Sequence, residues 1–291
     1  MIQSRFQVLC YAIVLCAASR SHLEAQEPRT PGKPPVEIFL PASGKNSVPV
    51  LVEQAELTVT LDKQPAQVTS LRSAKDDKLL FAVMIDVSTS NRAQADSIKE
   101  AANQLFQGLS TGSHRGYLVA FDVSARISNR PLEPSEAPKA LDGLQFGGAT
   151  ALFDAIAQTS TTVLSKSRNP DIARRVIILL SDGDDNQSRT HPQDAEEKAE
   201  RDGVSIFSLD TTFAHNRGED MLKELATKTG GQAITDWKME EGVKTLLEAI
   251  NFQSVLTFVP TPASNHDLHS HSVKSLRKDI QISAPAQVAL P

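Results

Sequence analysis

A chain of 291 residues is long enough for one sizeable domain with additions, or for two small ones. Its 40% hydrophobic and 22% charged residues exclude a low-complexity or fibrous protein. A formal net charge of −5 disfavours nucleic acid as a partner.

At the start of the chain, Arg5 precedes "FQVLCYAIVLCAA", an apolar run of about 13 residues followed by small and polar ones. This is the pattern of a secretory signal peptide over 1–25, with cleavage after Ala18 or after Ala25, the latter favoured. The run is too short for a stable transmembrane span. Cys10 and Cys16 both fall within it, so the mature chain offers no disulfide, thiolate ligand or cysteine nucleophile. The expected location is periplasmic or extracellular. Residues 26–35, "QEPRTPGKPP", read as a Pro-rich linker. Residues 36–77 hold four extended stretches, "VEIFL", "VPVLVEQ", "ELTVTL" and "AQVTSL", consistent with a few antiparallel strands.

From residue 78 to 252 strands and helices alternate. "LLFAVMI" (79–85) is a continuous apolar run, as a strand buried on both faces requires. A helix over 93–109 places Ile98, Ala101, Ala102, Leu105, Phe106 and Leu109 on one face. Then come the strand "GYLVAFD" (116–122), a helix opening after Thr150 (151–164) and the buried strand "RRVIILLSDG" (174–183). A helix over 192–203 stopped by Gly203, the strand "VSIFSLD" (204–210) and helices over 218–231 and 238–252 complete the series. The order predicts a doubly wound, mainly parallel α/β sheet with helices on both faces, flanked by short β segments. Residues 253–291 return to strand character in "SVLTFVP" and "KSLRKDIQISAP", with a polar loop "TPASNHDLHS" between them. The two β segments are read as one small sandwich into which the α/β domain is inserted, which predicts contact between them.

In doubly wound folds ligands sit beyond the carboxyl ends of the strands. After "LLFAVMI" come Asp86, Ser88 and Ser90; after "RRVIILLS" comes Asp182; before the helix "ALFDAI" comes "GGAT", ending at Thr150. Two carboxylates and three hydroxyls are thus expected at one edge. All-oxygen donors suit a hard cation such as Mg²⁺, with Mn²⁺ or Ca²⁺ as alternatives. Two carboxylates neutralise a divalent ion and leave it open to an outside ligand.

"DVSTS" (86–90), "GGATALFDAI" (147–156) and "VIILLSDGDDN" (176–186) resemble the von Willebrand factor type A (VWA) domain and its metal-ion-dependent adhesion site. The likeness spans roughly residues 78–252. With the signal peptide and flanking strands, the chain resembles the bacterial VWFA-related family best known from Acidobacteria. The resemblance implies that Asp86, Ser88 and Ser90 form the first metal loop, Thr150 the second and Asp182 the third. It implies an ion that grips an Asp or Glu side chain of a protein partner. Related sequences often have Gly before the Thr; here Ala149 narrows the allowed backbone angles and puts the loop geometry in question.

Blander roles are weighed beside these. Asp86, Ser88 and Ser90 could cap a helix beginning near Asn91. Asp184, Asp185 and Asn186 read as a solvated turn, and Asp122 as a turn residue. Asp154 suits the dipole of its helix. His266, His269 and His271 invite a zinc reading, but nothing completes the set, and exposed loop histidines are expected. Phe213 and Trp237 read as packing residues. The expected function is a non-enzymatic, metal-dependent binding module. A metal-free scaffold is the first alternative. The second is a phosphohydrolase, since an aspartate after the first strand is shared with the haloacid-dehalogenase phosphatases. Those need a second aspartate two residues on, where this chain has Ser88.

Overall fold

The computed structural model describes residues 34–45, 48–166, 168–212, 217–235, 238–260 and 267–290. The expected signal peptide, most of the linker, Phe213, Trp237 and His266 lie outside the described residues.

Five strands precede the α/β region: β1 (Val36–Leu40), β2 (Ala42–Ser43), β3 (Leu57–Leu61), β4 (Gln64–Pro65) and β5 (Gln67–Ser73). In β1 and β3 alternate apolar residues point inward, as period-two patterning demands. "VPVLVEQ" does not form the expected strand. Pro49 makes one isolated bridge to Ser43, and Leu51 is 70% exposed. Pro49 lacks the N–H that a ladder needs.

The α/β region runs β6 (Leu79–Asp86), α1 (Ala95–Leu109), β7 (Arg115–Phe121), β8 (Ala125–Ile127), α2 (Ala137–Asp142), α3 (Leu152–Thr162), β9 (Arg174–Ser181), α4 (Pro192–Asp202), β10 (Val204–Asp210), α5 (Arg217–Lys228), β11 (Ala233–Ile234) and α6 (Met239–Asn251). The sheet order is β11-β10-β9-β6-β7-β8, with every pair parallel except β7 and β8. This is the doubly wound architecture expected. The short β8 and α2 had not been foreseen, because neither is long enough to show a period. Alternate residues of β6 enter two different cores. Phe81, Val83 and Ile85 meet α1 and α6, whereas Leu80, Ala82 and Met84 meet α3, α4 and α5. That double burial is why the strand reads as an unbroken apolar run. Gly203 ends α4 with φ +65°, a conformation that costs glycine nothing.

Four strands follow: β12 (Ser254–Val259), β13 (His269–Ser275), β14 (Gln281–Ile282) and β15 (Gln287–Val288). β12 lies between β1 and β5, β13 between β3 and β15, and β14 pairs with β2, all antiparallel. The two β segments therefore do meet, sharing a core that includes Ile38, Leu40, Val59, Leu61, Leu256 and Phe258. Two corrections arise here. The strand β13 begins inside the stretch read as a polar loop, and "KSLRKDIQISAP" is not one strand. His269 and His271 are buried within β13 and not exposed in a loop. His269 Nδ1 donates to Asp62 Oδ2 at 2.7 Å, and His271 stacks on Phe258 while its Nδ1 donates to the Pro285 carbonyl at 3.0 Å. A histidine that satisfies one ring nitrogen can occupy an inward position as an apolar residue would. Burial pushes the His271 pKa down. Among the described residues no helix is long and apolar enough to cross a membrane.

Arg174, the first residue of β9, is 1% exposed. Its Nη1 donates to the Ala74 carbonyl at 3.0 Å, and its Nη2 donates to the Ile250 carbonyl at 2.5 Å and to Gln253 Oε1 at 3.1 Å. Ala74 and Gln253 are where the chain passes between sandwich and α/β sheet, and Ala74 N–H donates to the Gln253 carbonyl. Burial pushes the guanidinium down to about 10, so it remains charged at neutral pH. Arg174→Ala takes the guanidinium from three buried acceptors, of which the Ala74 carbonyl keeps the Asp77 N–H, at about 1–3 kcal/mol for each acceptor left unpaired. Urea denaturation is expected to show a loss of about 3–5 kcal/mol. Arg174→Lys should lie between, because it keeps the charge without the fork.

Candidate functional site

Asp86 is the last residue of β6 and is 0% exposed. Its Oδ1 accepts from the Ser88 N–H at 3.0 Å and its Oδ2 from Ser181 Oγ at 2.7 Å. Ser181 Oγ in turn accepts the Gly183 N–H at 3.0 Å. The Ser88 and Ser90 hydroxyls lie 3.0 Å apart; Ser88 is buried and Ser90 exposed. A 3-10 turn over Thr89–Gln94 starts at Ser88, yet no side chain caps it. The helix-capping role is therefore not realised. Asn91, fully buried, reaches Ser88 Oγ through Nδ2 at 3.4 Å and accepts from Thr211 Oγ1.

The second loop hangs on the first. Gly147 N–H donates to the Val87 carbonyl at 2.6 Å, and Thr89 donates to the Gly148 carbonyl through N–H at 3.1 Å and Oγ1 at 3.0 Å. It is also tied to the third. Thr150 N–H donates to Asn186 Oδ1 at 3.0 Å, while the Asn186 and Gln187 N–H groups donate to the Thr150 carbonyl. Together with the Ser181–Asp86 bond, these contacts close a ring through the three segments that carry the five candidate residues. Gly148 takes the left-handed turn at φ +93°, and Ala149 is spared it. The alanine therefore imposes no strain on the loop.

Asp182 is 3% exposed, and its Oδ1 accepts the Asp184 N–H at 3.2 Å. A Cβ at Gly183 would lie 2.2 Å from the Gly218 carbonyl oxygen, and a Cβ at Gly218 would lie 2.0 Å from that of Asp182. Only a glycine pair lets the first turn of α5 pack so closely on this loop. The acidic run is not a solvated turn throughout. Asp184 is exposed, but Asp185 accepts from the Phe153 N–H and from Ser188, and Asn186 positions Thr150. Asp154 accepts the Arg189 and Thr190 N–H groups of the third loop. It clamps that loop besides standing in the first turn of α3. Asp122 pairs with Arg126 at 2.9 Å, as a turn residue can.

Burial pushes the Asp86 carboxyl up to about 6; donors from Ser88 and Ser181 oppose this, and the nearby Asp182 charge adds to it. Burial also raises Asp210, at the end of β10, with Glu219 and Asp182 adding. Sequence reasoning had missed Asn91, Ser181 and Asp210. Asp210 did carry a signal, since it ends a parallel strand at the same edge as Asp86 and Asp182. The polar partners of the two site carboxylates are hydroxyls and amides, with no Lys or Arg among the described residues. Among those residues no group of three or more His, Cys, Asp or Glu is gathered for a metal. A cation at this edge would have to use the hydroxyls. Two carboxylates with Ser and Thr oxygens are a donor set that suits a hard divalent ion.

A mainly parallel six-stranded sheet with helices on both faces, carrying carboxylate and hydroxyl loops at its C-terminal edge, defines the class: a VWA- or Rossmann-like α/β domain. The chain belongs to the von Willebrand factor type A domain family, which it matches over residues 81–249, more than half its length. A von Willebrand factor type A structure from Catenulispora acidiphila is similar at 12% identity and TM-score 0.52, covering 90% of this chain and 75% of that one. An aerotolerance-related membrane protein from Bacteroides fragilis is similar at 17% identity and TM-score 0.49, covering 60% of this chain and 98% of that one. BatB from Bacteroides thetaiotaomicron is similar at 18% identity and TM-score 0.47, covering 59% and 97%. No curated protein matches.

The raised Asp86 pKa has a definite sign. Between about 4 and 6 the folded state holds a proton that the unfolded state has released, so cation-free stability falls as pH rises. In chelator, lowering the pH from 7 to 4 should recover up to about 3 kcal/mol from this group. Asp86→Asn should remove that share of the slope, as urea melts across the pH range would show.

Proposed function

We propose that the protein is an exported binding module that grips an acidic side chain of a protein partner through a divalent cation. Asp86, Ser88, Ser90, Thr150 and Asp182 hold the ion, Mg²⁺ in the first instance, with Mn²⁺ or Ca²⁺ able to replace it. The observation that carries this reading is the buried carboxylate pair, surrounded by hydroxyls and facing no Lys or Arg among the described residues. Burying two like charges is costly unless a cation offsets them. When bound, the ion supplies an electrophilic centre for an incoming carboxylate. The chain's own groups orient the donors. Ser181 fixes one oxygen of Asp86, Asn91 contacts the Ser88 hydroxyl, and Asn186 fixes the backbone at Thr150.

The metal-free scaffold draws on a different observation: the three loops are joined by a ring of hydrogen bonds among their own groups. A thermal melt separates the two readings. Mg²⁺ at a hundredfold excess over its Kd should stabilise the wild type by about 2.7 kcal/mol. It should leave Asp182→Ala unmoved, and calorimetry should detect no Mg²⁺ binding to that variant. Equal Mg²⁺ response in both proteins, or none in either, would reject the metal site. Asn186→Ala, which touches no donor oxygen, should weaken Mg²⁺ about ten- to a hundredfold by loosening Thr150.

A further inference from the structure

A guanidinium stands beside this edge with no acidic partner among the described residues. Arg92 lies on the 3-10 turn that follows Ser90 and is exposed. Its Nε and Nη2 both donate to the Phe146 carbonyl, at 3.1 and 3.0 Å. A Cβ on Gly147 would lie 3.1 Å from Nη2. The group is thus pinned to the loop leading to Thr150, and its Cα stands two residues, at most about 7 Å, from that of Ser90. Four other surface arginines are paired with carboxylates: Arg72 with Asp77, Arg126 with Asp122, Arg130 with Glu136 and Arg277 with Asp279. Among the described residues Arg92 has no carboxylate within ion-pair reach; its polar contacts are the two to Phe146.

Arg92 places positive charge over the second loop, the Asp122 charge is offset by Arg126, and the third loop carries both exposed Asp184 and exposed Arg189. An acidic ligand gripped at the centre meets the Arg92 guanidinium on the side of the second loop.

We infer that Arg92 is a second anchor for the partner, which presents two carboxylates on one face of an extended segment. One meets the cation and the other the guanidinium. This inference rests on the metal-site reading above. In an extended chain residues i and i+2 face the same way about 6.6 Å apart, so two aspartates one residue apart reach both points. The fork suits a carboxylate, and its pinning leaves little side-chain entropy to lose.

Two capped peptides test it, Asp-Gly-Asp and Asp-Gly-Asn, titrated calorimetrically into Mg²⁺-saturated protein. The wild type should prefer Asp-Gly-Asp by about tenfold or more. Arg92→Gln should bind both peptides alike, with its Mg²⁺ affinity and its Asp-Gly-Asn affinity unchanged; Arg92→Lys should keep part of the preference. Equal binding of the two peptides by the wild type, no binding of either, or a preference that survives in Arg92→Gln would overturn the anchor. So would a fall in Mg²⁺ affinity in Arg92→Gln, which would make the side chain a brace for the second loop. Failure of the metal site itself looks different: no Mg²⁺ binding, or peptide binding that persists in chelator.

Discussion

A carboxylate buried at the end of a fully buried strand is the constraint on which the upper edge of this protein depends. Asp86 is carried there by β6, whose residues are packed on both sides, so its backbone has no freedom to relax. Its charge is costly in that place. The surrounding loops are arranged to meet it: Ser181 from the neighbouring strand, the backbone of Ser88 from its own loop, and Asp182 adding a second negative charge close by. The hydrogen-bond ring keeps the loops of this edge in register.

The ring also explains why residues of such different sequence position act together. Asn186 belongs to the third loop yet fixes the backbone of the second, and Thr89 of the first loop holds Gly148 of the second. Asp154 and Ser188 tie the third loop to α3. Asn91 links the first loop to Thr211 beyond β10.

The flanking sandwich is joined to the same α/β sheet at its opposite end. β6 and β9 start near the joint, where Arg174 takes up carbonyls from both neighbouring segments. A guanidinium serves better than an apolar side chain there because the Ile250 carbonyl, the Ala74 carbonyl and the Gln253 amide oxygen all face it and accept from it. Strand starts are braced by the sandwich, and strand ends carry the site.

Much of this was legible in the chain itself. Unbroken apolar runs marked β6 and β9 as doubly buried, and strand–helix alternation marked the sheet as parallel, because burial on both faces leaves no polar period to hide it. The oxygen-bearing residues at the strand ends followed from the same pattern. The limits were equally physical. "VPVLVEQ" looked like a strand, but proline denies it a ladder; His269 and His271 looked like loop residues, but each found a partner for one ring nitrogen and went inside. Local sequence thus determined which elements form and which donors face the edge, since both depend on neighbours along the chain. Tertiary structure alone decided that Ser181, Asn91, Asn186 and Arg92 stand around those donors, and that the two terminal β segments share one core. Such contacts join residues far apart in sequence, and no period or spacing records them.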